Sequence, residues 1–117
     1  ATYSLVNYVI NTGNIIPASA QITIKKADEQ IQGICIGDGP IDAAFLAIEQ
    51  IIGHHYELDD FQITSVTEGK EAMGSAIVKL RNNGKLYSGN GISTDIISAS
   101  IRAYINAVNK IVYEEAN

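Results

Sequence analysis

Ile36-Gly37-Asp38-Gly39-Pro40-Ile41-Asp42-Ala43 and, later, Ser88-Gly89-Asn90-Gly91-Ile92 are the stretches whose reading decides the fold. Each glycine-flanked tripeptide follows a strand-like run and precedes a helix-like one. Two such junctions, 52 residues apart from Gly37 to Gly89, predict a chain built from two copies of one unit. Each would present a bare-backbone loop at a helix start, where the first amides lack intrahelical partners and the helix dipole is positive. An anion or carboxylate fits such a place, so the pattern predicts a binding domain. The pattern is neither a phosphate-gripping loop, since no Gly-Lys-Ser/Thr follows, nor a dinucleotide fingerprint, since Gly-x-Gly-x-x-Gly is incomplete in both copies.

Working outward from the first junction, residues 2–10 alternate loosely as a strand covered on both faces, with Tyr3, Leu5 and Val9 opposite Val6, Tyr8 and Ile10. Residues 19–27 form a half-exposed strand, and residues 30–36 form a third. From Pro40 the period changes to that of a helix, with Ile41, Ala44, Phe45, Ile48, Ile51 and Ile52 on one stripe and Gly53 at its end. In the second half, residues 61–67 and 75–81 read as strands. Asn83-Gly84 signals a type I′ hairpin, and residues 85–88 a short return strand. Ser93 or Thr94 caps a helix reaching about Tyr113, with Asp95 in its first turn. Its stripe is Ile97, Ile101, Tyr104, Val108 and Ile111, thickened by Ile96, Ala99, Ala103 and Ala107.

The order is therefore βββα-βββα, an α+β fold with pseudo-two-fold symmetry, in one domain over 1–117 with repeat units of about 1–53 and 60–117. Three strands and one helix bury little alone, so the halves are expected to pack together. Apolar surface left on the second helix argues for a homodimer.

Composition narrows the function. A chain of 117 residues, 46% hydrophobic, can bury a core. Its net charge of −5 offers no basic stripe for nucleic acid. No apolar run approaches the roughly 20 residues of a membrane span. The single Cys35, flanked by Ile34 and Ile36, reads as a buried thiol in a reducing cytoplasm. Ala1 suggests a piece of something longer. His54 and His55 are adjacent and point apart, so they do not form a metal pair, and no nucleophile-base arrangement stands out.

Three runs carry a specific resemblance: Gly37 through Ala43; Ser65-Val66-Thr67 through Gly69-Lys70-Glu71-Ala72-Met73-Gly74; and Ser88-Gly89-Asn90-Gly91 through Thr94-Asp95-Ile96-Ile97 to Ala99-Ser100. In order and spacing they closely resemble the C-terminal regulatory domain of 2-isopropylmalate synthase, a domain that also closes the related citramalate synthases. The resemblance implies a dimeric βββα-βββα domain that binds leucine, or isoleucine in the citramalate enzymes, and so inhibits a separate catalytic barrel. That barrel uses acetyl-CoA and a divalent metal held by a His-x-His pair; this chain, having neither pair nor barrel, is expected to be no enzyme on its own and to hold no cofactor.

A free amino acid needs donors for its carboxylate, an acceptor for its ammonium and an apolar recess. The loop Gly37-Asp38-Gly39-Pro40 would supply the donors, Asp38 or Asp42 would face the ammonium, and Ile41 and Phe45 would line the recess. By the family pattern Thr64 and Ala72 also approach the ligand. Gly89, Asn90 and Gly91 form the second candidate loop. A dimerisation module that binds nothing and an independent small enzyme are the alternatives.

Overall fold

The computed structural model describes residues 2–13, 15, 17–68 and 71–116, with the backbone alone for 66–68, 71 and 72. Its elements run β1 (Tyr3–Asn11), β2 (Ala18–Lys26), β3 (Glu29–Gly37), α1 (Pro40–Ile52), β4 (Glu57–Glu68), β5 (Glu71–Asn82), β6 (Lys85–Ser93) and α2 (Ile96–Ala116). The predicted βββα-βββα order is observed. Two compact units divide it, Ala1–His55 and Tyr56–Asn117.

In the first unit β1, β2 and β3 form an antiparallel sheet in that order. α1 lies over β2 and β3. The apolar side of β2, Ala18, Ala20, Ile22 and Ile24, is buried with Ala43, Ala44, Phe45, Ala47 and Ile48 of the helix. β1 departs from the sequence expectation. A bulge between Leu5 and Asn7 resets its alternation, placing Leu5, Tyr8 and Ile10 opposite Ile24, Ile22 and Ala20 while Val6 and Val9 remain exposed. The strand is thus not covered on both faces: an extra residue in one strand flips the side-chain order beyond it.

The second unit repeats this plan with β4, β5 and β6 in sheet order and α2 over β5 and β6. Ala76, Val78 and Leu80 are fully buried toward α2, and the intervening Ser75, Ile77 and Lys79 are not, as the period of two requires. Asn83 (φ 53°) and Gly84 (φ 79°) make the predicted turn. Both central residues sit at positive φ, which matches the right-handed strand twist.

The repeat offset differs from the sequence reading. Glu29 to Lys85 and Pro40 to Ile96 are both separations of 56 residues, not 52. The structural counterpart of Gly37-Asp38-Gly39 is therefore Ser93-Thr94-Asp95, and Gly89 corresponds to Gly33. β6 runs straight through Gly89-Asn90-Gly91, which pair with Val78, Ile77 and Ala76. These residues form no loop. Their glycines serve close packing: a Cβ on Gly89 would fall on the Ala103 carbonyl oxygen and the Ala107 amide, and one on Gly91 would lie 2.7 Å from the Ala103 nitrogen. In the first unit Gly33 lies under α1 in the same way, where a Cβ would stand 2.5 Å from the Ala47 carbonyl oxygen. Glycine on the strand and alanine on the helix let the two backbones approach.

α2 also runs longer than expected, to Ala116, and buries Ile105 besides Ile101, Tyr104, Val108 and Ile111 of the predicted stripe, while Ile97 is half-buried. Its leftover apolar surface is small. Ile96 and Tyr113 are exposed, whereas Val9, Ile34, Ile36 and Ile92 are exposed on the strands. These four lie in register rows facing away from the helices, as in Val9–Gln21–Ile34 and Ser75–Ile92. The expected surplus thus sits on the sheets, because α2 turns most of its circumference inward. Cys35 is half-buried rather than buried. It stands on the last strand of its sheet, opposite Ala20.

Gly53 ends α1 in the left-handed region (φ 70°), with its N–H bonded to the Glu49 carbonyl at 2.8 Å. Replacing it with alanine forces a side chain into that conformation. The expected cost is about 1 kcal/mol in urea unfolding.

Candidate ligand site at the start of the first helix

α1 begins with a glycine cap. Gly39 is extended (φ −161°, ψ 174°), offers no side chain to the helix amides, and its carbonyl accepts the Ala43 N–H at 2.9 Å. Pro40 has no N–H, so Ile41 and Asp42 carry the first-turn donors that have no partner four residues back. A Cβ built on Gly39 meets nothing within 4 Å. The space that a side chain at Gly39 would fill is therefore open.

The rest of the bend is tight. Asp42 Oδ2 accepts the Asp38 N–H at 2.9 Å, and a Cβ on Gly37 would stand 2.5 Å from the Ala43 nitrogen. Asp42 therefore ties the bend back onto the first turn, a contact that spacing alone did not reveal. It occupies one of the donors assigned above to a ligand carboxylate, the Asp38 amide. Both aspartates are exposed and Ile41 is half-buried. Phe45 is only 7% exposed, so its ring belongs to the packed layer beneath the helix and leaves Ile41 as the apolar group nearer the surface.

The other predicted site residues lie in the second unit. Thr64 is exposed on β4 in a row with Ser75 and Ile92, facing away from α2. The Ala72 backbone, on β5, pairs with Thr67 of β4, and its side chain, like Gly69 and Lys70 of the same motif, lies outside the described residues. Gly89 and Gly91 are enclosed under α2, while Asn106 Nδ2 donates to the Asn90 carbonyl at 2.6 Å.

The counterpart of the Gly39 cap is closed. Asp95 precedes α2, accepts the Ile97 N–H on Oδ1 at 3.0 Å and accepts the Ala99 N–H on its carbonyl at 2.9 Å. It is the N-cap itself rather than a first-turn residue, and its own carboxylate fills the place that Gly39 leaves empty. An aspartate two residues before an amide with no helical partner was the available signal. Asp95→Ala is expected to cost about 1 kcal/mol of stability in thermal unfolding.

Among the described residues no cluster of three His, Cys, Asp or Glu could hold a metal ion. His55 Nδ1 instead contacts Glu49 at 2.9 Å. No helix of the described residues is long and apolar enough to cross a membrane.

Comparison with known proteins agrees with this architecture. The chain is 44% identical over 108 residues to 2-isopropylmalate synthase of Ruminiclostridium cellulolyticum, covering 92% of this chain and 21% of that protein. It is 41% identical over 112 residues to the enzyme of Heliobacterium modesticaldum (96% and 22%), and 40% over 114 residues to that of Carboxydothermus hydrogenoformans (97% and 22%). The chain thus spans about a fifth of the length of these curated relatives. A family model described as the LeuA allosteric (dimerisation) domain matches residues 1–112, and the chain belongs to that family.

Proposed function

We propose that this chain is the amino-acid-sensing part of a cytoplasmic 2-isopropylmalate synthase. It binds leucine at the start of α1, as a homodimer, and thereby inhibits condensation of acetyl-CoA with a 2-oxo acid in a separate metal-dependent catalytic domain. The observation that carries this reading is the uncapped, uncovered helix start at Gly39, in a chain whose family description is allosteric.

The ligand carboxylate takes the Ile41 and Asp42 amides, where the helix dipole favours it. Asp38 is the acceptor for the ammonium, since Asp42 is committed to the bend. Ile41 meets the branched side chain. Thr64 and Ala72 stand as the further ligand contacts that the family resemblance implies. The cap in the second unit is filled by Asp95, so one amino acid binds per chain. Feedback follows when leucine prefers one arrangement of the domain by a coupling of about 1 to 3 kcal/mol.

Calorimetry with leucine, isoleucine and valine tests the reading. Saturable heat with leucine strongest, at one ligand per chain, supports it. Isoleucine strongest would assign the domain to the citramalate branch. No heat with any of the three at millimolar concentration, alongside a stable dimer in ultracentrifugation, would leave a dimerisation module.

A further inference from the structure

Asn83-Gly84 and Asn90-Gly91 are the two places in the chain where glycine follows asparagine; every other asparagine with a successor precedes a residue that bears a side chain. Glycine leaves its own amide nitrogen unshielded, so the carboxamide of a preceding asparagine is open to attack by that nitrogen. In sequence the two pairs are equivalent. Both asparagines are also exposed in the fold, so access of water does not separate them.

The main chain separates them. For the glycine nitrogen to reach the asparagine Cγ, the peptide group between the two residues has to rotate. At 90–91 that group is held at both ends. The Asn90 carbonyl accepts Asn106 Nδ2 at 2.6 Å, and Gly91 pairs with Ala76. Alternation counted from the Asn82–Lys85 pair, which closes a two-residue hairpin, directs the Gly91 N–H and C=O onto β5. α2 encloses Gly91 from the other side, with the Ala103 nitrogen 2.7 Å from a built Cβ. At 83–84 the same group forms the tip of the hairpin. Asn83 and Gly84 are its two central residues, both at positive φ, and neither belongs to the ladder. A Cβ on Gly84 meets nothing within 4 Å.

We propose that Asn83 is a site of deamidation in the folded chain and that the fold protects Asn90. The Gly84 nitrogen gives its proton to a solvent base and attacks Asn83 Cγ. The N–Cγ bond forms, the Cγ–Nδ2 bond breaks, and the departing amide takes up a proton and leaves as ammonia. Water then opens the cyclic imide at either carbonyl, giving an aspartyl or an isoaspartyl residue. Nothing is oxidised or reduced; one water is consumed and one ammonia released. Either product adds a negative charge to a chain of net charge −5, so anion exchange resolves it. Rotation at the tip requires opening of one turn, whereas rotation at 90–91 requires breaking a ladder and lifting a helix.

The test incubates the whole chain at neutral and mildly alkaline pH, folded and in urea, and follows it by peptide mass spectrometry. Trypsin cleaves after Arg81 and Lys85, so the two asparagines fall in different peptides. In the folded chain the Asn83 peptide is expected to gain about 1 Da, faster at the higher pH because the nitrogen must lose its proton. It converts about ten-fold faster than the Asn90 peptide, or more. In urea the two convert at similar rates. Asn83→Asp keeps the turn, since Asp-Gly suits the type I′ geometry as Asn-Gly does, and abolishes the gain in this peptide. Equal conversion of Asn90 in the folded chain, or a gain that persists in Asn83→Asp, overturns the proposal. So does a folded chain that gains nothing at Asn83 while the urea sample converts.

Discussion

Gly39→Asp is expected to abolish amino-acid binding while leaving the fold as stable as before, or slightly more so. The opposite signs follow from the two helix starts. At α2 an aspartate in this position holds the Ile97 amide, and at α1 a built Cβ meets nothing within 4 Å beyond the adjoining residues. An aspartate there fits without clash and takes the Ile41 amide, as a good N-cap does. It also sets a fixed negative charge on the seat of the ligand carboxylate. Losing hydrogen bonds to a charged group, at about 1.5 to 3 kcal/mol each, implies an affinity loss of about 100-fold or more. Calorimetry with leucine and a thermal melt read the two effects separately. A variant that still binds leucine with unchanged affinity would move the ligand away from this helix start.

The second large effect belongs to Gly89. Gly89→Ala is expected to destabilise the chain by about 3 kcal/mol or more, lowering the melting temperature by about 10 °C or more. The added methyl meets backbone on both sides, the Ala103 carbonyl and the Ala107 amide, and backbone in the middle of a helix cannot step aside as a flexible side chain does. α2 would have to lift from β6, uncovering Val78, Leu80 and Ile101, all fully buried. Gly39→Ala is the matched control, with stability expected to change by less than about 0.5 kcal/mol. If both alanine variants melt alike, the close approach of α2 to β6 is not what fixes glycine at position 89.

Much of the architecture was legible in the chain. Alternation in β2 and β5, the helical stripe from Pro40 to Gly53 and the Asn83-Gly84 turn are local signals, because each depends on a period or on a dihedral that few residues adopt. The resemblance to the regulatory domain was likewise readable from Gly37 through Ala43. Gly89-Asn90-Gly91 was misread for a physical reason. A glycine that permits a turn and a glycine that permits another backbone to approach look the same in sequence, and only the place of α2 distinguishes them. The bulges in β1 and β4 were hidden because one extra residue is no anomaly in an irregular alternation. For the candidate site, the cluster at the start of α1 was visible. The commitment of Asp42 to the Asp38 amide was not, since the bend that joins them is set in space.

The chain by itself determined the order of elements, the duplication, the family and the uncapped start of the first helix, because residue-to-residue periods, caps and turns are properties of neighbours along a backbone. Tertiary structure alone decided the repeat offset of 56, the burial of Gly89 and Gly91 under α2, and which of two similar helix starts is left without a carboxylate of its own. Those depend on the distance between strands and helices remote in sequence, and no local pattern records that distance.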